Sequence, residues 1–552
     1  MLARAKSSLQ PNRLVNPFYG SIARGCIGRS ILLRDCANHQ KAVRPFACGG
    51  RWGVIAQHQR MALRLGIERR CPGRGMSRDG MMKEGPAAKR GSRHMYRDNL
   101  SSMFRHDGTV PPPGVLDDSF EEIAASFVPT ERYTSEAFHR LEVEHVWKKV
   151  WQVAGWALDI PNAGDAMTYD VADMAALIVR QPDGSLRAFH NSCLHRGMRI
   201  CNNAERLGSL RCPFHGFTWG LDGQSKIVTE RWDFPELAGR DMSLPQFQVA
   251  EWQGYVFVNP DPHAPPLANY LGGLLKQWDD AGWSLHDRFK AVHVTKKIRA
   301  NWKVAQEAFM EFFHGNFVHH GSIVPAAPAE TMRQDVFPGE PHFARGVGVA
   351  GVLTDQGEPV LAREQKAVDH FISYYAPELA GCSEFVVEPG QTAREKIAEI
   401  TIRKFRNDLG ADLSPMNRFD MIDYVWYNVF PNFMPWPTLG YPLGYWFLPD
   451  GGPSRCTMDI ILLLPFGGER PPSAKRVVIE ADEPCGPAMG PIGYILDEDM
   501  ANMERIQRGL ETSATGVINL SLCNEVRLRH FHRTLGHYVG EAPTPAVNSK
   551  GE

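Results

Sequence analysis

Hydrophobic and polar positions along this chain switch between two periods, and each switch marks a change of element. From Ser135, the segment SEAFHRLEVEHVWKKVWQVAGW places Val143, Val146 and Val150 at i, i+3, i+7 spacing. That is one face of a helix, with Ser135 as its cap. Short strand-like runs follow. AALIVRQ and SLRAFHN flank Pro182-Asp183-Gly184, so the pattern predicts a β-hairpin with a tight turn there. GYVFVNP at 254–260 predicts another strand and closes a β-rich region of about a hundred residues, a normal size for a small domain. After Pro260 the pattern changes. HVTKKIRA reads as a strand, NWKVAQEAFMEFFHGNFVHH as a helix or bent helix, and AREKIAEITIRKFRNDL as a second amphipathic helix. TMDIILLLPF reads as a buried strand and LDEDMANMERIQRGLET as a C-terminal helix. Strands and helices segregate along the chain, which predicts an α+β fold.

Composition adds limits. The 552 residues are 43% hydrophobic and 22% charged, ordinary for a soluble globular protein of two or three domains. The net charge of −1 conceals an uneven distribution. Residues 1–95 hold 19 Lys+Arg against 4 Asp+Glu, so residues 96–552 hold 42 against 58, a net −16. An acidic globular part argues against nucleic acid as a partner. A long uncharged run, Val425–Pro449, contains Pro431, Pro435, Pro437, Pro442 and Pro449. It cannot form one spanning helix, so no membrane segment is expected. Residues 1–95 are basic and acid-poor, as transit peptides are, but lack a clear amphipathic helix. A disordered extension, or upstream sequence ahead of a true start at Met95, fits them better. The eleven cysteines form no disulfide framework, which suits a reducing cytoplasm.

The strongest chemical signal lies at 191–219, NSCLHRGMRICNNAERLGSLRCPFHGFTW. Cys193-x-His195 is followed, after sixteen residues, by Cys212-x-x-His215. A Rieske [2Fe–2S] centre needs two thiolates on one iron and two imidazoles on the other, and two loops that each give one Cys and one His meet that need. Gly197 and Gly216 follow the two pairs and allow tight turns; Pro213 stiffens the second loop. Zinc also takes two Cys and two His, but zinc sites usually pair cysteine with cysteine at short spacing. Cys201 lies between the loops without a matching histidine and reads as a free core thiol.

A second metal pattern follows. Glu311 and His314 are three apart and share a helix face. His319 converges with His314 only if the helix ends or bulges near Gly315-Asn316. A carboxylate would complete a facial triad for non-haem Fe(II), and Asp499 is the best candidate, with Asp497 as the fallback. Ala308, Phe309, Phe312 and Phe317 surround the histidines in sequence, and Phe430 lies in the proline-rich segment with Tyr424, Trp426 and Trp436. These are candidate walls of an apolar substrate pocket, although core packing explains any one of them equally well. His530 and His532 sit among basic residues and are expected on a solvated helix surface rather than at a metal.

Over roughly residues 130–540 these motifs together resemble the α-subunits of Rieske non-haem iron ring-hydroxylating oxygenases. The Cys-x-His and Cys-x-x-His pairs, Asn301-Trp302-Lys303 leading into Glu311, His314 and His319, and Asp499 followed by Asn502-Met503-Glu504 and Gln507 carry the resemblance. It implies a β-rich Rieske domain (147–260) and a helix-grip catalytic domain with an antiparallel sheet (261–540). A helical segment (96–146) would precede them, with the extension (1–95) and a tail (541–552) outside. It implies a [2Fe–2S] cluster on Cys193, His195, Cys212 and His215, and mononuclear Fe(2+) on His314, His319 and Asp499. Glu311, in place of the usual Asp, would bridge His314 to the partner subunit's His215 in an α3 or α3β3 trimer with a small β-subunit. Electrons would come from a ferredoxin or flavin reductase, and O2 would be used to hydroxylate an aromatic or polycyclic substrate. A monooxygenase cleaving C–N or C–O bonds is the alternative, and a pure Rieske electron carrier is a third reading.

Overall fold

The Ser135 hydroxyl accepts a hydrogen bond from the Phe138 N–H (3.3 Å) and starts helix α1, Glu136–Glu142, which runs into a π-helical turn, Val143–Trp147. Val143, Val146 and Val150 are all buried, as their spacing predicts. The structure is a computed structural model that describes residues 99–117, 119–123, 127–203, 205–319, 331–353 and 357–541. The expected extension (1–95), and all of the expected tail after residue 541, lie outside those residues.

The β-rich part begins with β1 (Gln152–Trp156), β2 (Asp165–Val171), β3 (Met174–Arg180) and β4 (Leu186–His190). The short strands β5 (Glu205–Arg206), β6 (Leu210–Arg211), β7 (Thr218–Trp219) and β8 (Ser225–Ile227) follow, then β9 (Gln246–Trp252) and β10 (Tyr255–Asn259). The expected hairpin is β3–β4, antiparallel, with Gly184 at φ +84 in the turn. Seven strands form one antiparallel sheet in the order β1-β10-β9-β4-β3-β2-β5, and β6-β7-β8 form a smaller sheet. The loop after β4 carries Cys193 and His195, and the β6–β7 hairpin carries Cys212 and His215, so two neighbouring turns present all four donors.

The rest is built on an eight-stranded sheet. Its strands are β11 (Arg288–Ile298), β12 (Met332–Val336), β13 (Phe343–Gly348), β14 (Tyr424–Val429), β15 (Phe433–Pro435), β16 (Leu443–Pro449), β17 (Cys456–Pro465) and β18 (Val477–Ile479). The order is β12-β13-β14-β15-β16-β17-β11-β18, antiparallel except for β11 with β18. The proline-rich run that excluded a membrane helix thus supplies strands. Among the described residues no helix is long and apolar enough to cross a membrane. Tyr255 and Phe257 of β10 pack on Phe433 of β15, with ring centroids 4.6 and 5.7 Å apart. Strand β16 passes so close that a Cβ on Gly444 would lie 1.8 Å from the Tyr255 hydroxyl. One apolar core therefore runs from the first sheet into the second, and a smaller core lies under the Cys/His loops.

Three expectations need correction. The 301–319 segment is not one helix but two short ones, α2 (Trp302–Glu307) and α3 (Gly315–Val318), with turns between. The chain folds back so tightly that a Cβ on Gly315 would meet the Phe312 ring at 2.6 Å. Helix α4 (Val360–Tyr375) was not anticipated, whereas α5 (Ala393–Leu409) has the expected span, a capping box between Thr392 and Glu395, and Gly410 as its left-handed cap. The Asp499 helix, α6 (Pro491–Glu511), is not the last; α7 (Val526–Tyr538) follows. His530 and His532, expected in solvent, lie buried on α7. Their sequence looked polar because its charged groups are satisfied inside: His532 contacts Glu307 (2.8 Å), the Tyr133 hydroxyl (2.9 Å) and Arg132 (2.9 Å).

Candidate metal centres

The two Cys/His loops share one backbone design. Cys193 N–H donates to Met198 O (2.8 Å) and Gly197 N–H to Cys193 O (2.9 Å); in the second loop Cys212 N–H donates to Phe217 O (2.8 Å) and Gly216 N–H to Cys212 O (3.1 Å). Gly197 and Gly216 both sit at φ +75, a conformation that costs other residues a steric penalty. Both sulfurs are buried, and the His195 and His215 rings lie 4.7 Å apart between centroids. Burial raises the Cys193 thiol pKa. Cys212 is buried too, yet the N–H groups of His215 and Phe214 hold its pKa below the ordinary value. His195 is stacked on Phe217 (5.1 Å), and its Nδ1 is buried with no hydrogen-bond partner. Two thiols with backbone N–H groups aimed at sulfur, and a buried imidazole nitrogen without a partner, fit a mixed Cys/His iron–sulfur cluster. Cys201 takes no part: its thiol donates to Asn203 O (3.0 Å) and Glu205 Oε1 (3.1 Å), and burial and Glu205 push its pKa up to about 11.

The second group is His314, His319 and Asp499, whose ligand atoms all lie within 4.8 Å of one another. His314 comes from the turn ahead of α3, His319 from its end and Asp499 from α6. Asp499 Oδ1 is 3.3 Å from His314 Nε2 and 3.1 Å from His319 Nε2. Burial opposes charge on His314, but Asp499 and Glu311 raise its pKa to about 10; burial opposes charge on Asp499, but the two imidazoles hold its pKa low. Two imidazoles and one carboxylate on one side of a cavity are the donor set of non-haem Fe(II), and a divalent ion would take the place of the shared protons.

A cavity of about 970 Å³, its open mouth included, meets this group. Ala308, Phe309 and Phe312 line it. Phe317 is 76% exposed, and Phe430 lies elsewhere, stacked on Tyr538 (5.1 Å). Its other walls come from Trp426, Trp436, Tyr441 and Tyr445 of the proline-rich run, Tyr374 of α4 and Ile495 of α6.

A family profile described as "Ring hydroxylating alpha subunit (catalytic domain)" matches residues 276–541, and one described as "Rieske [2Fe-2S] domain" matches residues 150–234. The chain belongs to the Rieske ring-hydroxylating α-subunits. This family carries a Rieske [2Fe–2S] cluster and a mononuclear iron. The biphenyl 2,3-dioxygenase subunit alpha of Rhodococcus jostii is 34% identical over 195 residues, 34% of this chain and 42% of that protein. The glycine betaine monooxygenase oxygenase subunit of Pseudomonas aeruginosa is 27% identical over 224 residues, 40% of this chain and 52% of that protein. The chain thus spans about half the length of the curated relatives it matches. Among solved structures, a naphthalene 1,2-dioxygenase variant bound to phenanthrene superposes with a TM-score of 0.55 at 16% identity, covering 77% of this chain and 95% of that one. A quaternary ammonium Rieske monooxygenase with L-carnitine gives 0.52 at 17% identity, covering 76% and 99%. These likenesses establish the fold.

Within this Rieske α-subunit, Glu311 lies outside both short helices. Its Oε1 is 2.6 Å from His314 Nδ1, and Oε2 accepts from the N–H groups of Phe313 and His314. Asp497, the fallback to Asp499, faces away and accepts from the N–H groups of Cys485 (2.7 Å) and Gly486 (2.9 Å). Tyr424, Trp426 and Trp436, named from the sequence as candidate walls, do line the cavity, whereas Tyr441, Tyr445 and α4 were missed. The alternation of aromatic residues along 424–447 was the available signal, but the prolines hid it.

Proposed function

We propose that this chain is the oxygenase component of a system that takes electrons from a ferredoxin or flavin reductase and uses O2 to hydroxylate a neutral aromatic or polycyclic substrate. Cys193, Cys212, His195 and His215 would hold the cluster, and His314, His319 and Asp499 the Fe(II). Bound there, the metals supply the electrons and the open coordination positions that O2 activation requires. The chain's own residues do the rest. Glu311 orients His314 through Nδ1 and, in an α3 or α3β3 trimer, would link it to the partner subunit's His215. Phe309, Phe312 and the tryptophan wall hold an apolar ring beside the triad and exclude water.

The observation that carries this reading is the wall chemistry. Among the described residues the cavity walls beyond Glu311 and the metal group are aromatic and aliphatic apart from His370, with no Lys or Arg, and 320–330, directly after His319, contains neither residue type. Similarity to betaine and carnitine oxygenases, and Glu311 in place of Asp, favour a second reading, C–N bond cleavage. Zwitterionic substrates of that kind carry a carboxylate, which would be costly to bury here without a cation. Turnover with a surrogate reductase under ¹⁸O2 separates the two. Labelled hydroxyl products from naphthalene or biphenyl, with no reaction of glycine betaine or carnitine, are expected. Labelled aldehyde from a betaine, with inert aromatics, would overturn the substrate reading.

A further inference from the structure

Three consecutive carboxylates, Asp497, Glu498 and Asp499, stand on α6. Successive helical residues are rotated by about 100°, so they point in three directions and meet three sets of partners. Asp497 takes the Cys485 and Gly486 N–H groups. Asp499 faces the Nε2 atoms of both histidines. Glu498 Oε2 lies 2.8 Å from His319 Nδ1. We propose that Glu498 is a positioning residue that fixes the His319 ring with Nε2 toward the metal, an inference that rests on His314, His319 and Asp499 being the ligands.

A carboxylate only accepts, so the proton between Glu498 and His319 sits on Nδ1. The Nε2 lone pair is then the one left for a metal. His314 is held in the same sense by Glu311, 2.6 Å from its Nδ1. The two supports differ in origin. Glu311 is three residues from its histidine and is itself held by local backbone N–H groups. Glu498 is 179 residues from His319 and shares a helix with Asp499. His319 follows a helix of only four residues and has already left helical geometry (φ −101, ψ 18). Phe312 stacks on its ring face (5.9 Å between centroids), and the contact to Glu498 at Nδ1 selects which edge of the ring, Nε2, faces Asp499. One rigid helix thereby supplies a ligand and the orientation of a second ligand. Carboxylates behind ligand histidines raise metal affinity by about 10–100-fold.

The test uses the full chain with its cluster intact and the mononuclear site emptied by a chelator, then titrated with Co(II) alone in competition with an indicator. Glu498 is partly exposed, with 32% of its side chain accessible, and alanine favours helices, so Glu498→Ala folds. Glu498→Ala is expected to bind Co(II) about 10–100-fold more weakly and to alter the Co(II) visible spectrum. Its cluster absorption and Tm should stay unchanged. Glu498→Gln keeps an oxygen that accepts from Nδ1 and should stay within a few-fold of wild type. Wild-type affinity in Glu498→Ala, with Asp499→Ala defective, would overturn the positioning role. A Glu498→Gln variant as weak as Glu498→Ala would overturn it as well. If Asp499→Ala also binds normally, the ligand assignment falls instead.

Discussion

Helix α2, which leads into the Glu311–His314 turn, is anchored by a fully buried ion pair. Lys303 Nζ lies 2.5 Å from Glu142 Oε1, and both side chains are 0% exposed. Trp302 Nε1–H donates to the other carboxylate oxygen (3.3 Å), and the ammonium lies 4.9 Å from the Trp302 ring centre. At an effective dielectric of about 20, a pair this close attracts by roughly 6–7 kcal/mol. Desolvation of two buried ions costs several kcal/mol each, so the net contribution of the intact pair is small. Removing one partner is different. Glu142→Ala strands an ammonium in the core, and the expected loss is about 3–5 kcal/mol. Replacing both, Glu142→Leu with Lys303→Met, removes both desolvation costs and should restore most of that stability. The assay is urea denaturation at neutral pH, followed by tryptophan fluorescence, on the two single variants and the double. A Glu142→Ala loss below about 1 kcal/mol, the scale of an exposed pair, would refute the claim that this contact is dry. A double variant no better than the singles would refute the desolvation account.

Asp499→Ala should lower iron from about three to about two atoms per chain while the Rieske spectrum stays intact; unchanged iron content would exclude Asp499 as a ligand. Glu311→Ala should keep both metals and lose most turnover, checked by iron analysis beside single-turnover kinetics; full activity would remove the bridging role. Burial, then Arg533, lowers the His530 pKa from 6.5 to about 4. The unfolded chain therefore takes up this proton first as pH falls. Stability is full above about pH 6.5 and declines toward pH 4, by up to about 3 kcal/mol in all. Denaturation midpoints at pH 7 and pH 5 measure this, and His530→Gln should flatten the dependence.

The sequence by itself determined the elements whose cause is local. The Ser135 cap, the hairpin at Pro182-Asp183-Gly184 and the α5 span with its capping box each depend on residues within a few positions. The Cys/His loops were legible for the same reason: each loop is a short motif that turns on its own glycine. The second metal group was only half legible. Glu311, His314 and His319 lie close in sequence, but whether Asp497, Glu498 or Asp499 faced them depended on how α6 is rotated against α3. Tertiary packing alone decides that rotation. Packing also broke the expected helix at 301–319, where Phe312 and Gly315 fold the chain back on itself. It placed Phe317 in solvent and Phe430 outside the cavity, and it buried His530 and His532 on a helix whose sequence looks solvated. Phe430, His530 and His532 each found a partner more than a hundred residues away, in Tyr538, the Glu340 carbonyl, and Glu307 with Tyr133. Local pattern carries no information about such partners, because only the closed fold brings them within hydrogen-bonding distance.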